Sequence, residues 1–303
     1  MVTSREIRLK SRPVGAPVHD NFELATVEVA APGDGEIQVR NLWMDPDFKP
    51  GDIVSTMFGW REAFNVSPKA LAAGGMGAVT KIDTHGLPPQ TFLGVAGMPG
   101  LTAYVGLLRI AALKDGDVVF VSAAAGAVGQ VVCQIAKLKG HTVIGSTGGP
   151  EKVAFLESIG VDHVIDYKAT PDVVAELEKA APKGIDVYFE NVGGVHLEAA
   201  LNSARPFGRF ALCGMISLYN ETGKPVGPWN IAQIVGKSLR LEGFIVSNHY
   251  DLAPQFLKDM AGWIGAGRIK WNETVEDGVE RAPDAFIKLF KGDNLGKMLV
   301  KLG

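Results

Sequence analysis

Asp117-Val-Val-Phe-Val-Ser-Ala-Ala-Ala-Gly-Ala-Val-Gly-Gln130, followed by a helical run to Lys139-Gly140, decides the fold of this chain. Val118 to Val121 are β-branched or aromatic and read as a short buried strand. Ala127 to Lys139 repeats apolar residues at helical spacing and stops at Gly140, a favourable residue just past a helix end. Between them, Ala124-Ala-Gly126-Ala127-Val128-Gly129 is a G-x-G-x-x-G turn whose first glycine is alanine. Such a turn offers a diphosphate bare backbone and the N–H groups of a helix N-terminus. Gly126 would let backbone approach the phosphates, and Gly129 would let helix and strand pack closely. A glycine turn alone is a weak signal, since small residues also serve packing at strand–helix junctions. Strand, turn and helix in the required order make dinucleotide binding the expectation.

Working outward, the α/β alternation continues. Strands are expected at Thr142–Ile144, Val164–Lys168, Asp186–Glu190, Arg209–Gly214 and Leu239–Val246. Helices are expected at Glu151–Ile159, Pro171–Ala181, His196–Ala204 and about Asn230–Lys237. Six strands separated by short helices imply an α/β Rossmann fold, a doubly wound parallel sheet. Before residue 95 the texture changes to short strands set among Gly and Pro, such as Ile37–Arg40 and Asp52–Val54, and suggests a β-rich domain. After Leu252, a helix near Ala253–Ala266 and another at Pro283–Lys291 precede a terminal strand, Lys297–Val300, expected to rejoin the first domain. The expected division is 96–269 for the Rossmann domain and 1–95 with 270–303 for the β-rich one.

The chain has 303 residues, 47% hydrophobic and 21% charged, with a formal net charge of −3. That charge gives no electrostatic case for nucleic acid or an anionic membrane. No apolar run is long enough to span a bilayer, and the N-terminus lacks the apolar stretch of a secretion signal, so a cytoplasmic location is expected. Two cysteines, Cys133 and Cys213, cannot build a disulfide framework or a four-cysteine zinc site. The six histidines show no metal-ligand spacing, and most are expected to be solvated. Neither a Gly-x-Ser-x-Gly elbow nor a lysine-bearing phosphate loop is present.

An NAD-selective fold usually places an acid about 20 residues beyond the glycine turn to hold the ribose 2′-hydroxyl. Here Thr142-Val-Ile144 runs into Gly145-Ser-Thr-Gly-Gly149, with no acid at its end. Lys152 follows on the next helix and Tyr167 follows the third strand. The missing carboxylate removes repulsion and a nearby ammonium can pair with a 2′-phosphate, so NADP(H) is the expected cofactor.

Several motifs resemble the medium-chain dehydrogenase/reductase superfamily, and within it the zinc-free enone and alkenal reductases. They are Gly97-Met-Pro-Gly-Leu-Thr-Ala-Tyr104, the Ala124–Gly129 turn, Gly184-Ile-Asp-Val-Tyr-Phe-Glu-Asn-Val-Gly-Gly194, Cys213-Gly-Met-Ile-Ser217, Glu242-Gly-Phe-Ile-Val246 and Gly292-Asp-Asn-Leu-Gly-Lys297. The resemblance implies a GroES-like barrel for the β-rich domain and a homodimer. It implies that Gly126, Ala127, Val128 and Gly129 cradle the diphosphate while Lys152 and Tyr167 take the 2′-phosphate. By the same resemblance, Asn191 and the stretch Cys213, Gly214, Met215, Ile216 and Ser217 line the ribose and nicotinamide. Phe244, Ile245 and Val246 would hold the carboxamide through backbone, Asn294 would reach back to the cofactor, and Met98 and Thr102 would border the cleft.

The implied activity is reduction of the C=C bond of an α,β-unsaturated aldehyde or ketone, with hydride passing to the β-carbon. Tyr250, just past the sixth strand, is the candidate donor near the substrate carbonyl, with a surface tyrosine as the alternative. A zinc-free quinone reductase and a non-catalytic NADP-binding protein stay open as rivals. The family pattern also implies a few dozen residues after Met44 that are absent here, where Asp45-Pro-Asp-Phe-Lys-Pro-Gly-Asp52 follows directly. A true deletion would expose core and unpaired strand edges, which favours a segment omitted from the present sequence.

Overall fold

A computed structural model of the chain describes residues 1–33, 37–40, 52–66, 80–170 and 172–302. The expected gap after Met44 lies outside the described residues. Two compact units are present: 1–93 with 274–293 and 298–303, and 94–273 with 294–297.

The first unit is rich in short ladders. β1 (Val2–Leu9) pairs antiparallel with β2 (Phe22–Val29). Further antiparallel pairs join β3 (Ile37–Arg40) to β5 (Ala63–Val66), and β4 (Val54–Ser55) to β6 (Thr80–Lys81). Ser4, fully buried, ties β1 to β5: its hydroxyl donates to the Ala63 carbonyl and accepts from the Ala63 N–H, each at 3.1 Å. Phe22, Trp60, Phe286 and Phe290 stack edge-on or tilted, with centroids 5.2 to 6.2 Å apart, and supply apolar contact that short strands alone cannot.

The second unit opens with α1 (Met98–Val105), which runs into a single wide turn, Gly106–Ile110, where the Ala111 N–H reaches the Gly106 carbonyl. Six strands follow: β7 (Val118–Val121), β8 (Thr142–Thr147), β9 (His163–Asp166), β10 (Ile185–Glu190), β11 (Ala204–Leu212) and β12 (Arg240–Gly243). Their spatial order is β12-β11-β10-β7-β8-β9, and all pairs are parallel. This is the doubly wound α/β sheet, with its topological switch between β7 and β10. The covering helices are α2 (Gly129–Leu138), α3 (Pro150–Ser158), α4 (Val173–Ala180), α5 (Gly194–Ser203) and α6 (Gln233–Gly236). One apolar layer gathers Val119, Val121, Val131, Ile135 and Phe189, and another gathers Phe120, Ile144, Tyr188, Leu201 and Phe210. The alternation of Val119 and Val121 against Phe120 is the period-2 signature of a strand buried on both faces.

α7 (Ala253–Gly265) completes this unit, and its Asp259 accepts from the Tyr104 hydroxyl at 2.7 Å. β13 (Glu273–Asp277) pairs with β14 (Lys297–Lys301), and α8 (Ala282–Lys291) lies between them in sequence.

Several expected bounds change: β8 runs to Thr147, three residues past the expected Ile144, and the helix expected at about Asn230–Lys237 is the four-residue Gln233–Gly236. β11 begins at Ala204, five residues before the expected Arg209. β12 ends at Gly243 rather than Val246: the Phe244 N–H still reaches the Leu212 carbonyl, but a 3-10 segment takes over at Val246. The view of histidines as mostly solvated fails for His141 and His196, each 4% exposed, because each sits where burial outweighs imidazole solvation.

Candidate active site

The Ala124–Gly129 turn is built by backbone. The Gly126 N–H donates to the Ala123 carbonyl at 2.9 Å, and the Gln130 N–H to the Gly126 carbonyl at 3.1 Å. A Cβ on Gly129 would stand 2.3 Å from the Ala123 carbonyl oxygen, so only glycine lets α2 start this close to β7. No side chain caps the N-terminus of α2, so Ala127 and Val128 lead into an open helix end. The Asn294–Lys297 segment docks on the same turn. The Gly296 N–H donates to the Ala125 carbonyl at 2.9 Å, and the Asn294 amide bonds the Gly296 carbonyl at 2.8 Å.

At the end of β8 the backbone passes through Gly148 and Gly149, and Tyr167 covers Gly148 so closely that a Cβ there would meet the ring at 2.8 Å. Asp166, at the end of β9, accepts from the Gly149 and Lys168 N–H groups at 3.0 Å each. The Gly149 N–H above all holds its carboxyl below the usual range. Lys152 stands on the first turn of α3, two residues after Pro150. Tyr167 meets the His196 ring edge-on, with centroids 5.4 Å apart. The His196 Nε2 and the Ser146 hydroxyl are 2.8 Å apart, and burial pushes the imidazole down to about 4.

Across the switch point the turn after β10 is held by one carboxylate oxygen. Glu190 is fully buried, and its Oε1 accepts from the Tyr188 hydroxyl (2.7 Å), the Ser122 hydroxyl (3.0 Å), the Val192 N–H (2.7 Å) and the Gly193 N–H (2.8 Å). Its Oε2 has no hydrogen-bond partner, and burial lifts the carboxyl above the usual range. Asn191 is fixed by its amide, which donates to the Ser122 carbonyl at 2.7 Å, and by the Cys213 thiol, which donates to its Oδ1 at 3.1 Å. The Ser217 hydroxyl donates to the Val192 carbonyl at 2.6 Å and the Ile216 N–H to the Asn191 carbonyl at 3.2 Å, stitching the turns after β10 and β11 together. Gly193 must lack a side chain there, since a Cβ would meet Met215 at 3.1 Å and it holds φ at +80°.

A cavity of about 500 Å³ opens at the carboxyl ends of β11 and β12, within the size range of small-molecule sites. Leu212, Cys213, Gly214 and Met215 line it from one strand, and Gly243, Phe244 and Ile245 from the other. Asn248 and His249 complete the lining. Burial pushes the Cys213 thiol up to about 12, so it stays protonated. Among the expected site residues, the structure brings Cys213 to Met215, Phe244 and Ile245 together at this cavity. Ile216, Ser217 and Val246 are their chain neighbours and are absent from the lining. Met98 and Thr102 share a turn of α1, where the Thr102 hydroxyl donates to the Met98 carbonyl at 2.8 Å. Tyr250 is 56% exposed and does not line the cavity. Asn248 and His249 on the same segment do, and the sequence reading did not single them out. Their signal was the quoted Ser247–Asp251 stretch itself, whose inward side a short irregular segment does not reveal.

Among the described residues no group of three His, Cys, Asp or Glu could hold a metal ion, and no helix is long and apolar enough to cross a membrane.

Two family models match: "Zinc-binding dehydrogenase" over residues 127–262 and "N-terminal domain of oxidoreductase" over residues 5–47. Bovine prostaglandin reductase 1 is 40% identical, the match covering 99% of this chain and 100% of that protein. It runs over 331 positions, more than this chain has residues, so some positions of the relative have no counterpart here. A tobacco NADP(+)-dependent 2-alkenal reductase is 36% identical over 99% of this chain and 97% of its own length. The crystal structure of CurA from Vibrio vulnificus in complex with NADPH is 37% identical, covers 99% of each chain and superposes with a TM-score of 0.85.

Proposed function

We infer the function of this chain from its family: it belongs to the medium-chain dehydrogenases/reductases, in the zinc-free enone and alkenal reductase branch. It is an NADPH-dependent oxidoreductase that reduces the C=C bond of α,β-unsaturated aldehydes and ketones. The observation that carries this reading is a glycine turn into an uncapped helix N-terminus on one side of the switch point, with an apolar cavity on the other.

The residues fit an NADP cofactor. The open start of α2 after Gly126 to Gly129 suits a diphosphate. Gly148, Lys152 and Tyr167, with no carboxylate at the end of β8, suit a 2′-phosphate. Asn191, the Cys213–Ser217 stretch, the Phe244–Val246 backbone and Asn294 would hold the ribose and nicotinamide end, with Met98 and Thr102 beside them. The cofactor, when bound, supplies the hydride that the β-carbon receives.

The protein's part is to bind, orient and exclude water. The bonded network from Glu190 through Ser122 and Asn191 to Cys213 fixes the floor of the site before substrate enters. The apolar side chains of Leu212, Met215 and Phe244 give the open cavity a wall that a bound cofactor and substrate would shield from water, strengthening any hydrogen bond to a developing enolate oxygen. Tyr250 is kept as a proton source: exposed, it exchanges its proton with water and needs no buried relay. The quinone-reductase and non-catalytic readings are alternatives to this one.

A cytoplasmic homodimer is part of the same proposal. β12 is the outer strand of the sheet, and its Arg240, Glu242 and Gly243 are exposed, an unpaired edge that a second copy would cover. Sedimentation of the purified protein tests the dimer. Steady-state turnover of enones, alkenals and quinones with NADPH tests the chemistry: enone turnover well ahead of quinone turnover supports the reading, and the reverse order replaces it.

A further inference from the structure

We propose that His249 is a further catalytic residue of this site, donating a hydrogen bond from Nε2–H to the carbonyl oxygen of the substrate. This rests on the reading of the chain as an enone reductase.

Of the side chains lining the cavity, only Cys213, Asn248 and His249 are polar. The Cys213 thiol is committed to the Asn191 Oδ1. Asn248 is exposed, and among the described residues no hydrogen bond fixes its side-chain amide. His249 is held on two sides. Its ring meets the Phe244 ring at a steep angle with centroids 6.3 Å apart, and its Nδ1 lies 3.4 Å from the Arg109 Nη1. A guanidinium can only donate, so this contact pairs with the tautomer that accepts at Nδ1 and carries its proton on Nε2, the form the proposed role needs. Arg109 is itself locked by a bidentate pair with Asp251, at 2.9 and 2.7 Å.

The local backbone serves this arrangement. Arg109 sits in the wide Gly106–Ile110 turn, a distortion of helical pitch often found at functional sites. Gly106 opens that turn where a Cβ would stand 2.5 Å from the Phe189 ring and 2.7 Å from the Phe244 ring. Bare backbone there lets both rings close on the segment that carries Arg109. At the other end, His249 breaks the 3-10 run Val246–Leu252 with φ −131° and ψ 25°. The result is a histidine ring in an otherwise mostly apolar wall, braced by Phe244 and Arg109. Its Nε2–H is proposed to point into the cavity, the kind of donor an enolate-forming reaction requires.

The step balances without proton transfer from the ring. Hydride adds to the β-carbon, the electron pair of the C=C bond moves to the α-carbon and oxygen, and the nicotinamide is oxidised as the alkene is reduced. The Nε2–H bond persists and shortens its contact to the enolate oxygen, while the α-proton comes from the Tyr250 hydroxyl, which water then reprotonates, or from water directly.

The test uses His249→Phe and His249→Gln in the full chain, with benzylideneacetone as the enone. One readout is independent of turnover: the infrared carbonyl stretch of the enone bound without cofactor. His249→Phe is expected to return that stretch to the frequency of a carbonyl without a donor and to lower kcat by roughly 100-fold. NADPH affinity should stay within about twofold, and His249→Gln, which keeps an N–H donor, should recover most of both signals. A carbonyl stretch unmoved by His249→Phe, or a kcat within about threefold of wild type, overturns the proposal while leaving the reductase intact. Should the unaltered protein bind NADPH but reduce no enone, the reductase reading itself fails, and this inference with it.

Discussion

The two halves of the six-stranded sheet build their ends in different ways. On the β7–β8–β9 side the proposed site is backbone: Gly126, Gly129, Gly148 and Gly149 leave room where a side chain would crowd the turns. On the β10–β11–β12 side it is side-chain chemistry: the fully buried Glu190, the Asn191–Cys213 bond and, separately on the cavity wall, His249. A backbone site tolerates almost no added atom, whereas a side-chain network tolerates isosteric change but not the loss of one partner.

The sharpest break of that contrast is Gly129→Ala. Its Cβ would meet the backbone of Ala123 and Ala124 at 2.3 to 2.9 Å, which no side-chain rotation relieves. We expect a loss of about 3 kcal/mol in stability, read from the denaturant midpoint, with NADPH binding falling alongside. An unchanged midpoint would mean the helix can move off the strand.

The second prediction concerns pH. Burial lowers His196 from 6.5 to about 4, so the unfolded chain binds this proton first as pH falls. The stability tied to neutral His196 is complete above pH 6.5 and is lost as pH drops from there toward about 4. The loss reaches about 3 kcal/mol, and His196→Gln should flatten that part of the stability profile relative to wild type. Parallel profiles for the two proteins would place the histidine in solvent-like surroundings.

Glu190→Gln probes the side-chain half. Oε1 keeps its four donors, but the new amide nitrogen takes the place of the unpartnered Oε2 and buries an unsatisfied donor. A cost of about 2 kcal/mol is expected, with altered NADPH affinity because the Val192–Gly193 turn hangs on this group. Gln matching Glu in both respects would show that the turn holds without the charge.

The smallest effect belongs to Lys152→Ala. About tenfold weaker binding of NADPH with NADH unaffected, equivalent to about 1.4 kcal/mol, is the expected outcome of fluorescence titration. Equal weakening of both cofactors would move Lys152 from the 2′-phosphate to the diphosphate.

This contrast also explains what could be read from the sequence. The strand Val118–Val121, the turn and the helix after it were legible because backbone requirements leave glycines at fixed spacing. The switch-point order followed from alternating elements, while in the terminal strand Lys297 groups with the sheet unit and Met298 onward with the strand-rich one. The end of β12 was not legible. Leu239 to Val246 has the composition of one strand, yet its last residues leave the sheet to form the cavity wall, a choice made by tertiary contacts with Leu212 and Phe189. His249 was hidden for the same reason. Its role depends on Arg109, 140 positions earlier, and no local pattern links the two. Tyr250, the residue that sequence reasoning favoured, turns out to be the more exposed of the pair.

The most direct test of the central claim is the initial rate of cofactor oxidation with benzylideneacetone, measured with NADPH and with NADH at equal concentration. Enone-dependent oxidation with NADPH at least tenfold ahead of NADH is the predicted result. Tight NADPH binding with no oxidation by any enone would contradict the account.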